Sequence, residues 1–219
     1  MIYLLLLIIA EIMLFIFAWS SKSITPMEAL IRSNMVFIVF FAGKLMMFDG
    51  LITNIGTVFY ATVMAGQIFI LEKYGFERAK TTINSIIFVL SIAFTLGYIV
   101  YLFPILPHNE IAKSINNVIF SSWRIIWSAY LAFYIAQSLF LIVWKRLESQ
   151  WFYIRNIAGI ITIQFIDSVL FFTVAFGYSK KLLSLIFLGF LVKIAIGFIF
   201  LPIIRIMKVR NPQYNIDIG

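Results

Sequence analysis

The chain has 219 residues, of which 63% are hydrophobic and 12% charged, with a mean hydropathy of +1.04. An ordinary globular protein carries about 45–50% apolar and about 25% charged residues, and a soluble chain of this length has no interior large enough to hide the excess. Soluble enzymes, secreted scaffolds and disordered chains are therefore excluded. The lack of cysteine removes disulfides and thiolate metal sites, and a single histidine, His108, removes multi-histidine sites.

Apolar runs of about 20 residues cross a bilayer as helices. Seven spans follow in chain order: Ile2–Trp19, Ser33–Phe48, Ile55–Leu71, Asn84–Leu106, Val118–Trp144, Ile157–Gly177 and Leu182–Ile204. The first lacks the basic leader and small-residue cleavage site of a signal peptide and carries Glu11 at its middle, so it reads as a retained helix. The second and third are short and meet at a tight join, Asp49-Gly50. The fifth is long enough to tilt. His108, between Pro107 and Asn109, reads as part of an exposed turn. Tryptophans 19, 123, 127, 144 and 151 fall near span ends, where indoles favour the interface. The expected fold is an all-α polytopic transmembrane bundle of about seven spans, forming one integral membrane domain over residues 1–219.

The net charge is +8. Lys22, Arg32, Lys73, Arg78, Lys80, Lys145, Arg146, Arg155, Arg205, Lys208 and Arg210 occupy alternate segments; only Lys113, Lys180 and Lys181 occupy the others. The positive-inside rule then places the N-terminus outside and the C-terminus in the cytoplasm. The basic surplus is a topology signal and not a nucleic-acid footprint. Loops of about a dozen residues or fewer leave no room for a soluble catalytic domain. No paired-acid, His-rich or Ser–Lys constellation stands out, so the reading is of a non-enzyme without cofactor or metal.

A charge at the bilayer centre costs at least ~2.5 kcal/mol, so each one needs a reason. Glu11, Asp167 and Lys193 fall near the middles of spans one, six and seven. At 100° per residue, Asn156, Gln164 and Asp167 share one face of span six, within about 80°; such a face looks into the bundle. Asp167 reads either as a packing ion pair with Lys193 or as a ligand site or proton relay. Trp127, Tyr130, Tyr134 and Gln137 form a second stripe on span five, which reads either as ordinary interface packing or as a surface able to stack a planar heterocycle. Lys44 and Arg124 suit snorkelling to headgroups, and Glu72 suits a solvated position where span three ends. These observations describe a small-solute transporter with a polar interior site.

Several stretches resemble a known family. The run from Leu71 to Lys80, LEKYGFERAK, is similar to the "tEvYGxxxAr" signature of the putative queuosine precursor transporters, also called the vitamin uptake transporter (VUT) family. Gly56-Thr57-Val58-Phe59 resembles the family's "GtxxFP" stretch, with Tyr60 in place of the proline, and Lys44 stands where a lysine commonly precedes it. Trp123-Arg124, Ala132, Gln137 and Trp144-Lys145-Arg146-Leu147 resemble one family helix. Arg155-Asn156, Gln164, Asp167 and Phe171 resemble another, and Lys193 and Pro202 match the last. Ile68 and Phe140 stand where the family carries aspartates, and Gly159 replaces a serine, leaving Asp167 as the buried acid of the pattern. Many members are read with six spans, which makes the Glu11 helix an addition to a six-span core.

The resemblance implies import of a 7-deazaguanine, 7-cyano- or 7-aminomethyl-7-deazaguanine, across the plasma (inner) membrane for tRNA modification. Asp167, Gln164, Asn156, Gln137, Tyr134, Trp127 and Lys193 are then the substrate-binding candidates. Glu11, Lys44, Glu72, Arg124 and Arg155 are candidates for gating or coupling. The rival reading is the substrate-binding membrane subunit of a multi-component importer, which would require an ATPase partner; a homo-oligomer is a further partner reading, and a structural protein with helix-pairing charges a third.

Overall fold

The computed structural model describes residues 2–21, 23–41, 44–48, 51–104, 110, 112–114, 116, 123–177 and 182–210. The expectations for His108, for Asp49-Gly50 and for Lys22, Lys180 and Lys181 lie outside these residues. Among them, the elements run α1 (Ile2–Ser20), α2 (Thr25–Phe41), β1 (Leu45–Phe48), β2 (Leu51–Asn54), α3 (Gly56–Tyr74), α4 (Phe76–Leu102), α5 (Trp123–Arg146), α6 (Phe152–Phe176) and α7 (Leu182–Arg210). The chain is a polytopic helical bundle. Helices α1, α4, α5, α6 and α7 are long and apolar enough to cross a membrane.

The second expected span, Ser33–Phe48, is corrected. Its helix starts eight residues earlier, at Thr25, and stops at Phe41; Leu45–Phe48 instead pairs antiparallel with Leu51–Asn54, Leu45 opposite Asn54 and Phe48 opposite Leu51. The apolar tetrad Leu45–Phe48 and the segment Leu51–Asn54 flank Asp-Gly, a strong short-range hairpin signal, which a hydropathy window cannot separate from a helix. The early start is explained by Glu28, whose buried carboxylate accepts from Arg32 at 3.1 Å and Arg78 at 2.9 Å. Charges satisfied in this way let a helix begin before its apolar run does.

Helix α3 is the axis of the bundle. Every residue from Gly56 to Leu71 is buried, the pattern of a helix surrounded on all sides. Helices α2 and α7 pack closely along it, and α1 and α4 touch it at narrower contacts. Helices α5 and α6 form a tight antiparallel pair, and α7 also lies along α6. Close approach is secured by glycine: a Cβ on Gly66 would meet Ile31 at 2.6 Å, one on Gly159 would meet Phe140 at 2.7 Å, and one on Gly189 would meet Phe172 at 2.4 Å. Between α3 and α4 the chain turns at Gly75, whose φ of +84° is open to glycine and strained for other residues.

Candidate functional site

The α5–α6 pair faces α3 through long polar side chains, forming a seam down the bundle. Its register is fixed at two points. Glu72 on α3 pairs with Arg155 and accepts from the Asn156 amide at 2.9 Å, both on α6. Twelve residues back along α3, Tyr60 lies beside Asp167, twelve residues forward of Arg155. Antiparallel helices in this register bring Gln164 to the level of Met64.

At one end of the seam, Asp167 pairs with Lys193 of α7, both side chains only 5% exposed. The ammonium also donates to the Ser168 hydroxyl at 3.3 Å and sits 4.7 Å from the Tyr60 ring centroid. Asn54 ends β2 with its Oδ1 accepting from the Thr57 N–H at 2.9 Å and the Thr57 hydroxyl at 2.8 Å, which caps the first turn of α3. Asn54, Thr57, Tyr60, Phe171, Asp167 and Lys193 line a cavity of about 20 Å³, room for one water-sized body.

Along the seam from this pair, over the next turns of α3, α5 and α6, runs a series of under-used polar atoms. Gln164 is fully buried with neither amide atom bonded; the same holds for Gln67 on α3, and the Tyr60 hydroxyl and Gln137 Oε1 also lack a partner among the described residues. Gln137 donates to the Met64 thioether, at 2.9 Å, a weak acceptor. A buried amide without a partner costs about 1–3 kcal/mol, so these atoms hold hydrogen-bonding capacity that the described side chains do not use. Gln67 and Tyr60 are additions to the sequence-derived set. The signal for Gln67 was an amide inside an apolar run; for Tyr60 it was a hydroxyl where the family motif has proline.

The seam closes at its other end. Arg155 donates to Glu72 through two nitrogens, to the Glu148 carbonyl at 2.8 Å, and lies 5.1 Å from the Trp144 ring centroid. Glu72 is not the solvated charge that its place in the sequence suggested: its side chain is 1% exposed, Arg155's 13%. Asn156 belongs to this end, bonded to Glu72 and the Phe152 carbonyl, about 16 Å along α6 from Asp167. At the opposite end, Arg124 donates to the Val174 carbonyl at 2.7 Å, capping the last turn of α6, and Lys44 is exposed beside the hairpin. Beyond the seam, Glu11 is buried on α1 and accepts from Asn34 of α2 at 2.7 Å.

The structure does not bring Trp127 and Tyr134 to Asp167. They are 48% and 51% exposed, and Trp127 stacks on Phe94 of α4. Helix α5 turns Ala132, Phe133, Ala136 and Phe140 inward. The aromatic stripe straddles the rim of that face, with Gln137 inside it and Trp127 on the far side.

Residues 54–207 match the model of a family described as "Putative vitamin uptake transporter". The match takes in the whole seam and leaves α1, α2 and Lys44 outside it. No curated protein matches the chain, and neither does any solved structure. Because that match runs over most of the sequence, from the last residue of β2 into the last turns of α7, the protein belongs to the vitamin uptake transporter family.

Proposed function

We propose that the protein imports a 7-deazaguanine precursor of queuosine, 7-cyano- or 7-aminomethyl-7-deazaguanine, across the plasma membrane, N-terminus outside and C-terminus in the cytoplasm. The observation that carries the reading is the buried Asp167–Lys193 pair on a seam that also holds glutamine amides without partners among the described residues. A guanine-like edge presents one acceptor, O6, followed by two donors, N1–H and the 2-amino group. The Asp167 carboxylate accepts both donors as a charge-assisted pair, and the Lys193 ammonium donates to O6. Gln164, Gln137 and Gln67 supply further donors and acceptors along the seam. Tyr60 and Phe171, which line the cavity, take the ring-covering role first expected of Trp127 and Tyr134.

A cavity of about 20 Å³ is far smaller than a bicyclic heterocycle. Admission of the solute therefore requires Asp167 and Lys193 to part and α3 to move against the α5–α6 pair. In a bacterium that neither makes nor imports the precursor, the wild-type protein restores queuosine in tRNA at low external 7-cyano-7-deazaguanine, and Asp167→Asn at matched membrane level does not. Failure of the wild type to rescue despite good insertion would remove the cargo; equal rescue by Asp167→Asn would remove Asp167 from the site.

A further inference from the structure

Helix α3 separates two polar sites. Tyr60, Met64 and Gln67 lie within about 60° on the face turned to the seam, and Thr62 lies on the opposite face at the same depth. There it faces Glu11 of α1, whose carboxylate accepts from the Asn34 amide of α2 at 2.7 Å. The Thr62 hydroxyl is buried and makes its polar approach to the Glu11 carboxyl. Three helices thus bring a carboxyl, an amide and a hydroxyl together in the interior, back to back with Asp167 and Lys193.

Unlike Asp167, Glu11 has no cation paired with it among the described residues. The described charges on each helix packed against α1 are engaged elsewhere. On α2, Glu28 and Arg32 bond to one another and to α4. On α3, Glu72 is held by Arg155 and Lys73 lies over the Phe69 and Tyr74 rings. On α7, which meets α1 through Phe200 on Phe15, Lys193 is turned to Asp167 and Arg205 lies over the Phe152 ring. Glu11 cannot escape by snorkelling, because Glu11, Phe15 and Ala18 form the buried stripe of α1. A carboxylate without a counter-ion at this depth is expensive, and a bound proton removes the charge. A leucine would pack there without that cost, so the carboxyl calls for a use.

We propose that Glu11, with Asn34 and Thr62, is a proton-binding site that couples proton entry to solute entry through α3. The carboxyl oxygen takes a proton from water on one side of the membrane and releases it to water on the other; no other bond is made or broken. Since α3 carries one wall of each site, a displacement that parts Asp167 from Lys193 also changes the surroundings of Glu11, and by linkage each occupant biases the binding of the other. The transport half of this inference rests on the 7-deazaguanine reading; the proton half does not.

The test uses Glu11→Gln, which keeps an acceptor for the Asn34 amide and loses the proton. In proteoliposomes, wild type accumulates labelled 7-cyano-7-deazaguanine above equilibrium under an inward proton gradient. Glu11→Gln retains solute counterflow and loses that accumulation. Accumulation by Glu11→Gln equal to wild type, or wild-type net uptake indifferent to the gradient, overturns the coupling. Absence of wild-type counterflow would instead strike the cargo assignment. A difference infrared spectrum decides the proton site in that event: a pH-dependent carboxyl carbonyl band present in wild type and missing in Glu11→Gln supports it, and identical spectra overturn it.

Discussion

The two ion pairs of α6 are both buried, yet they are built in opposite ways. At the Arg155 end, Glu72 receives two guanidinium nitrogens and an amide, and the spare guanidinium donor is taken by a backbone carbonyl. At the Asp167 end, one ammonium meets one carboxylate and one hydroxyl, with the Tyr60 ring beside them and, farther along the seam, glutamine amide atoms without partners among the described residues. In the first every charged group is multiply bonded, and the spare atoms beside it, Asn156 Oδ1 and Trp144 Nε1, lie outside the ion pair itself. The second has hydrogen-bonding capacity to spare, and so can exchange a protein partner for a solute at small net cost.

The comparison is broken most severely by Arg155→Ala. Glu72 is then left buried without its cation, and stability falls by about 3–5 kcal/mol, read as a lower unfolding midpoint in detergent. Replacing whole pairs sharpens the contrast. Asp167→Leu with Lys193→Met leaves stability unchanged or raises it by about 1–4 kcal/mol, while solute uptake is lost. Glu72→Leu with Arg155→Met lowers stability, because the Glu148 carbonyl loses its Arg155 donor and the Asn156 amide loses one of its two acceptors. A gain from the second replacement equal to that from the first would erase the distinction. The smallest effect is expected of Gln164→Leu, which removes an unbonded amide: stability rises by about 1–2 kcal/mol and uptake falls. A stability loss there would show that the amide is bonded after all.

What the sequence made legible follows from what each signal costs. Charges inside apolar runs are expensive enough to stand out, so Asp167, Lys193 and Glu11 could be found by inspection, and the order of family motifs placed the seam's two helices. Uncharged polar residues are cheap in a hydropathy window, so Gln67 went unnoticed although it is as buried as Asp167. The angular stripe on α5 was real, but an angle says which residues share a face and not where that face points. Trp127 turns toward lipid because Ala132 and Ala136 are the residues small enough to let α6 approach. The hairpin was hidden because four apolar residues followed by Asp-Gly add as much hydropathy as a helical turn would.

The burial of α3 has a consequence for how the chain enters the membrane. A helix enclosed by protein from Gly56 to Leu71 carries Thr57, Thr62 and Gln67, and is not among the helices long and apolar enough to span alone. Its insertion has to be assisted by neighbours, of which α4 and α7 are synthesised later. Nascent chains that end near Gly75 are expected to hold α3 loosely, and orientation reporters fused there to give mixed signals that resolve once the later helices are made. Biogenesis of this transporter is then a matter of assembling an envelope before its axis can settle.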